Sequence, residues 1–91
     1  MALIVHFTPK NMTEQKYAEV LRRLTAAGAG APPGRLHHIC YGDKAALCVT
    51  DVYDTPASFE AFGSKLVPIL TEMGIDIGKP NVIEVHNIIR G

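Results

Sequence analysis

The chain has no tryptophan, only three tyrosines and three phenylalanines, two cysteines, and no excess of either charge. Each shortage excludes something. Nine basic residues against nine acidic ones, scattered along the chain, leave no basic stripe for a phosphate backbone, so nucleic acid is excluded as a partner. No apolar run approaches the roughly 18–20 residues of a membrane-crossing helix, which excludes a membrane partner of that kind. The first residues, Met1 to Phe7, lack the basic region of a secretory leader, and the expected location is the cytoplasm. Cys40 and Cys48 do not make a disulfide framework. Gly28-Ala29-Gly30 ends a helix where a phosphate loop begins one, and lacks the Gly-Lys-Ser/Thr ending.

What is present is apolar. Hydrophobic residues make up 47% of 91 residues and charged ones 20%, below the usual share of about 25%. One domain, residues 1–91, fills the chain, and a chain this short buries only roughly 60–65% of its unfolded surface. More apolar surface than one small core can hide calls for a partner, and the simplest is a second copy.

The pattern along the chain is strand, helix, strand, strand, helix, strand. Leu3 to Phe7 is a β-branched run stopped at Pro9. Asn11 or Thr13 caps a helix on which Tyr17, Val20, Leu21 and Leu24 form one stripe. The segment Ala26 to Gly34 ends it with glycines and two prolines. Leu36 to Tyr41 and Leu47 to Tyr53 form a hairpin through Gly42-Asp43-Lys44. Thr55 caps a second helix with Pro56 at its first position. Phe59, Phe62, Leu66, Leu70 and Met73 are its core stripe, and Pro68 is expected to kink or restart it. Val82 to Ile89 is the fourth strand. This order is the ferredoxin-like βαββαβ arrangement of the α+β class: a four-stranded antiparallel sheet with both helices on one face. The other face has no cover from this chain.

Period-two alternation sorts the residues between those faces. A turn centred on Lys44 pairs Ile39 with Val49 and His37 with Asp51. The uncovered face then collects His6, His37, Tyr41, Asp51, Tyr53, Glu84 and His86 among Ile4, Ile39, Val49 and Ile88. Leu3, Val5, Phe7, Ile83, Val85, Cys40 and Cys48 go under the helices, and His38 falls with them as an edge residue. A few titratable groups among apolar ones is how a small-molecule cavity is lined. On this reading His6 and His86 are the acid–base pair, with Tyr53 and Asp51 positioning. His37, Tyr41, Ile4, Val49, Glu84 and Ile88 complete the binding wall. A two-histidine-one-carboxylate metal set from His6, His86 and Glu84 and a Cys–His nucleophile are the weaker alternatives. No metal and no cofactor is called for.

Asp51-Val52-Tyr53-Asp54-Thr55-Pro56-Ala57-Ser58-Phe59-Glu60-Ala61-Phe62 resembles a strand end, cap and Phe-rich helix of the dimeric α/β-barrel proteins. Leu66 to Gly74 is similar to the proline-containing second half of that helix, and Val85-His86-Asn87 resembles the closing strand of a small bacterial subgroup. The resemblance spans nearly the whole chain and is to antibiotic-biosynthesis-monooxygenase-like members. It implies a homodimer packed sheet to sheet, a cavity between sheet and helices, and a small aromatic or enolisable organic ligand. Cofactor-free monooxygenases, isomerases and cyclases share this fold, as do members without known activity. A non-catalytic binding module or an accessory or structural dimer is the alternative. Tyr53 stands where many members carry a tryptophan, so the resemblance does not extend to the Asn–Trp–His set of the haem-degrading members.

Overall fold

The computed structural model describes all residues, Met1–Gly91. Six elements follow the expected order: β1 (Leu3–Phe7), α1 (Glu14–Ala26), β2 (Arg35–Asp43), β3 (Ala46–Tyr53), α2 (Pro56–Glu72) and β4 (Asn81–Glu84). All strand pairs are antiparallel, in the order β2-β3-β1-β4. The fold is ferredoxin-like α+β.

The helix starts are set locally. Thr13 and Thr55 sit in extended backbone, and their hydroxyls accept from the N–H groups of Lys16 and Ser58, three residues on. Of the two caps the sequence offered for α1, Thr13 is the one used; Asn11 instead takes a positive φ of 58° in the preceding turn. Pro56 occupies the first turn of α2, where its missing N–H has no partner to lose. The helix continues without interruption across Pro68. Pro68 and Ser64 are both solvent-exposed, so the carbonyl deprived of its bond faces water rather than the core.

One sheet face carries the core. Leu3, Val5 and Phe7 of β1 and Leu47, Val49 and Tyr53 of β3 pack against Val20 and Leu24 of α1 and Phe62 and Leu70 of α2. The Tyr53 ring is fully buried, tilted against Phe59 at 5.4 Å between centroids. The opposite face is bare and carries Ile39, Tyr41 and Ile83, all exposed.

The hairpin register differs by one residue from the expectation. Asp43 pairs with Ala46, leaving Lys44-Ala45 as a two-residue loop, and the Asp43 carboxylate accepts from the Ala45 N–H at 2.8 Å. His38 therefore lies opposite Asp51, Ile39 opposite Thr50 and Cys40 opposite Val49. A one-residue slip exchanges faces. Asp51, Tyr53 and Val49 lie under the helices rather than on the open face, with His38 and Cys40 beside them. Cys48, opposite Tyr41, is on the open face, so the two thiols are on opposite sides of the sheet.

A second irregularity precedes the hairpin. Arg35 pairs with Tyr53 and His37 with Val52, so Leu36 is extra, a β-bulge. Without it, Arg35 and His38 would point to opposite faces, being three apart. With it, both sit opposite helix-side residues of β3.

The last strand is shorter than expected and of the other parity. It ends at Glu84, and the final ladder-like bond runs from the Val85 N–H to the Ala2 carbonyl. Ile83 pairs with Ile4 on the open face, whereas Glu84 pairs with Leu3 and Val82 with Val5 on the helix side. His86 and Ile88 lie beyond the strand and are exposed.

Candidate functional site

The ten site residues expected from the sequence divide into three groups. Ile4, His6, His37 and Tyr41 share the open face, where the His6 and Tyr41 rings stack at 6.3 Å and the Tyr41 hydroxyl bonds Thr50 at 2.9 Å. Val49, Asp51, Tyr53 and Glu84 belong to the helix side, for the register reasons above. His86 and Ile88 follow β4 in the exposed C-terminal segment. His6 and His86 are thus not brought together as a strand-borne pair, because pairing stops before His86. No group of three His, Cys, Asp or Glu side chains is placed to hold a metal ion.

What the fold does assemble is a chain of four side chains on the helix side. Asp51 is 2% exposed on the central strand β3. Its Oδ1 lies 2.5 Å from Nδ1 of His38 on β2, and its Oδ2 accepts from the Tyr53 hydroxyl at 3.0 Å. Nε2 of His38 lies 2.6 Å from the Tyr17 hydroxyl on α1. The Tyr17 and His38 rings are parallel within 1°, with centroids 6.0 Å apart. The donor inventory assigns the protons. A carboxylate only accepts, so Nδ1 of a neutral His38 carries the hydrogen, and Nε2 is left to accept from Tyr17.

The tyrosines stay protonated at neutral pH. Burial, reinforced by the Cys40 thiol and the Asp51 carboxylate, pushes the Tyr17 hydroxyl up to about 12. Burial raises Tyr53 further still, and the adjacent Asp51 adds to it. Burial likewise raises the Cys40 thiol, the opposite of what a thiolate nucleophile needs.

This chain borders a cavity of about 60 Å³ between the sheet and the two helices. Phe7, Met12, Leu24, Phe62 and Leu70 supply much of its apolar wall, and Tyr17, His38, Asp51 and Arg35 its polar groups. A cavity needs ~10–15 Å³ on this scale to hold one water, so the enclosed part has room for a few waters or a group of that size, and anything larger would reach out through its mouth. A few convergent polar groups in an apolar hollow is the composition of a ligand site. An imidazole held by a carboxylate and presenting Nε2 at a cavity wall is competent to take or return a proton.

Sequence reasoning missed His38 and Tyr17. Tyr17 was visible only as one member of a helical stripe. The signal for His38 was Asp43, a side chain suited to closing a two-residue loop; that loop sets the parity placing His38 beside Asp51.

No family model matches the chain, and no curated relative does. Solved structures do. The chain is similar to SnoaB, a cofactor-independent oxygenase from Streptomyces nogalater, at TM-score 0.63 and 14% identity, covering 99% of this chain and 96% of that one. It is similar at TM-score 0.59 and 20% identity to a provisionally named antibiotic biosynthesis monooxygenase from Chloroflexus aurantiacus, covering 99% and 97%. A protein of unknown function from Nitrosomonas europaea matches at TM-score 0.56 and 18% identity, covering 99% and 94%. At these identities the likeness is one of fold, the ferredoxin-like α+β fold.

Proposed function

We propose that this protein is a cytoplasmic, homodimeric acid–base catalyst that deprotonates a small aromatic or enolisable molecule in the cavity between its sheet and helices. The observation that carries the reading is the Tyr17–His38–Asp51–Tyr53 chain against an apolar hollow. In the proposed step, Nε2 of His38 accepts the proton of an acidic C–H or O–H. The Tyr17 hydroxyl turns from Nε2 to donate to the substrate oxygen that gains charge. Asp51 holds the imidazole in the tautomer with Nε2 free and stabilises the imidazolium that forms.

The electron pair left on the substrate has two fates without a cofactor. The proton returns at another carbon, which is isomerisation. With dioxygen as co-substrate, a methylene becomes a carbonyl and the second oxygen atom leaves as water, which is monooxygenation. The likeness to SnoaB, itself a cofactor-independent oxygenase, supports the second. The bare sheet face, with exposed Ile39, Tyr41 and Ile83 beside half-buried Ile4, supports the dimer. No helix is long and apolar enough to cross a membrane, which accords with a cytoplasmic protein.

The test is α-deuterium incorporation into small aryl ketones in D₂O, followed by NMR, with oxygen uptake measured in parallel. Incorporation above the buffer rate, cut roughly 10²–10⁴-fold in a folded His38→Gln variant, is the expected result. Binding of the ketones without exchange would identify a non-catalytic module instead.

A further inference from the structure

We infer that the molecule taken by this cavity is an anion: a small acid whose carboxylate is read by Arg35 at the cavity mouth. The inference rests on the cavity being a ligand site. Its grounds begin with the bulge at Leu36, which puts Arg35 on the same face as His38. Arg35 is the one cationic residue in the cavity lining apart from the titratable His38. It also lines, with His37 and His38, an outer groove of about 290 Å³. The guanidinium therefore stands where the interior opens to the surface.

Of the nine Lys and Arg residues, only Arg22, Arg23 and Lys44 have a carboxylate within 4 Å; Arg35 is one of the six without, and the only one of those six in the cavity wall. Asp51, the nearest acid in the cavity wall, has both oxygens engaged by His38 and Tyr53. Of five guanidinium N–H donors, one is used within the chain, on the Gly30 carbonyl at 3.1 Å. The guanidinium carbon sits 5.5 Å over the centre of the Phe62 ring, a cation–π contact. With one nitrogen on the Gly30 carbonyl, the guanidinium keeps further N–H donors unused, and two parallel N–H donors match a carboxylate. The rest of the ligand would continue past Phe62 toward Tyr17 and His38, where the proposed proton transfer takes place.

The competing role for Arg35 is a strap that only fastens the Gly30 loop. Isothermal titration of the full chain with benzoate and with its neutral isostere benzamide separates the two. The expected result is benzoate binding at least ten-fold tighter than benzamide. A folded Arg35→Gln variant should bring benzoate down to the benzamide level and leave benzamide unchanged. Equal affinities in the unaltered protein, or unchanged benzoate binding in Arg35→Gln, would overturn the anion inference while leaving the cavity reading standing. If neither compound binds, the cavity reading itself fails and the inference with it. Should Arg35→Gln not fold, Arg35→Lys carries the test, because it keeps the charge and loses the fork. It should weaken benzoate several-fold with benzamide unmoved, and no weakening overturns the inference.

Discussion

Asp51→Asn is the substitution on which the candidate site bears most directly. The carboxylate is 2% exposed and accepts from two donors, the His38 ring and the Tyr53 hydroxyl. Asparagine keeps the shape but replaces one acceptor oxygen by an NH₂. One of the two donors loses its partner, and the amide brings two hydrogens into a pocket that offered none a place. An orphaned buried polar group costs about 1–3 kcal/mol, and at least one is created on each side, giving roughly 2–6 kcal/mol. Relief of the buried charge offsets part of this, so the lower end is the safer expectation. For a domain of this length each kcal/mol shifts the melting temperature by about 4–8 °C, so a fall of roughly 8–16 °C is expected at that lower end. The cycle with Tyr53→Phe sharpens the test. Once the hydroxyl is gone, the asparagine oxygen can serve His38 alone, and the double variant should be less destabilised than the sum by about 0.5–3 kcal/mol. Thermal melts by circular dichroism on the four proteins measure all of this. A fall of less than about 3 °C for Asp51→Asn, or strict additivity with Tyr53→Phe, would refute the bonded chain as described.

Other outcomes follow from the same geometry. Tyr17, ordinarily near 10, is held up to about 12 chiefly by burial, so the folded chain keeps a proton that the unfolded chain releases between those values. Stability is therefore unaffected by this group below pH 10 and falls as pH rises from 10 toward 12, and Tyr17→Phe should flatten that limb in denaturant titrations. Gly34 has φ +83°, and a Cβ there would run into the Ser58 side chain and lie 2.5 Å from Asp54 Oδ1, whereas Gly28, at φ +74°, has nothing within 4 Å. Gly28→Ala should cost only the backbone term of about 1–2 kcal/mol, and Gly34→Ala roughly 1–3 kcal/mol more, read from urea midpoints. The proposed dimer predicts a light-scattering mass near twice the 9.9 kDa of the chain, falling to one chain in Ile39→Glu. A monomer in the unaltered protein would remove the dimer from the proposal.

The elements were legible because their signals are local. Thr55-Pro56 starts a helix through the chemistry of those two residues, Leu3 to Phe7 alternates by itself, and the order of six elements leaves few ways to fold. The candidate site was legible only in its materials. Asp51 and Tyr53 stood out as titratable groups of one strand, yet they were expected on the open face and with the wrong partner: His37 was expected where His38 stands. Alternation identifies which residues of one strand share a face, but it does not say which face, nor how two strands align.

Composition and spacing alone thus determined the fold class, the cover of helices on one side, and the surplus of apolar surface on the other. Tertiary structure decided the rest through two one-residue choices. Asp43 closes a two-residue loop and brings His38 onto Asp51; Leu36 bulges out and brings Arg35 round to the same side. Each choice inverts a side-chain direction because strand geometry repeats every two residues. The polar cluster exists only where β2, β3 and α1 meet, and no stretch of sequence contains that meeting.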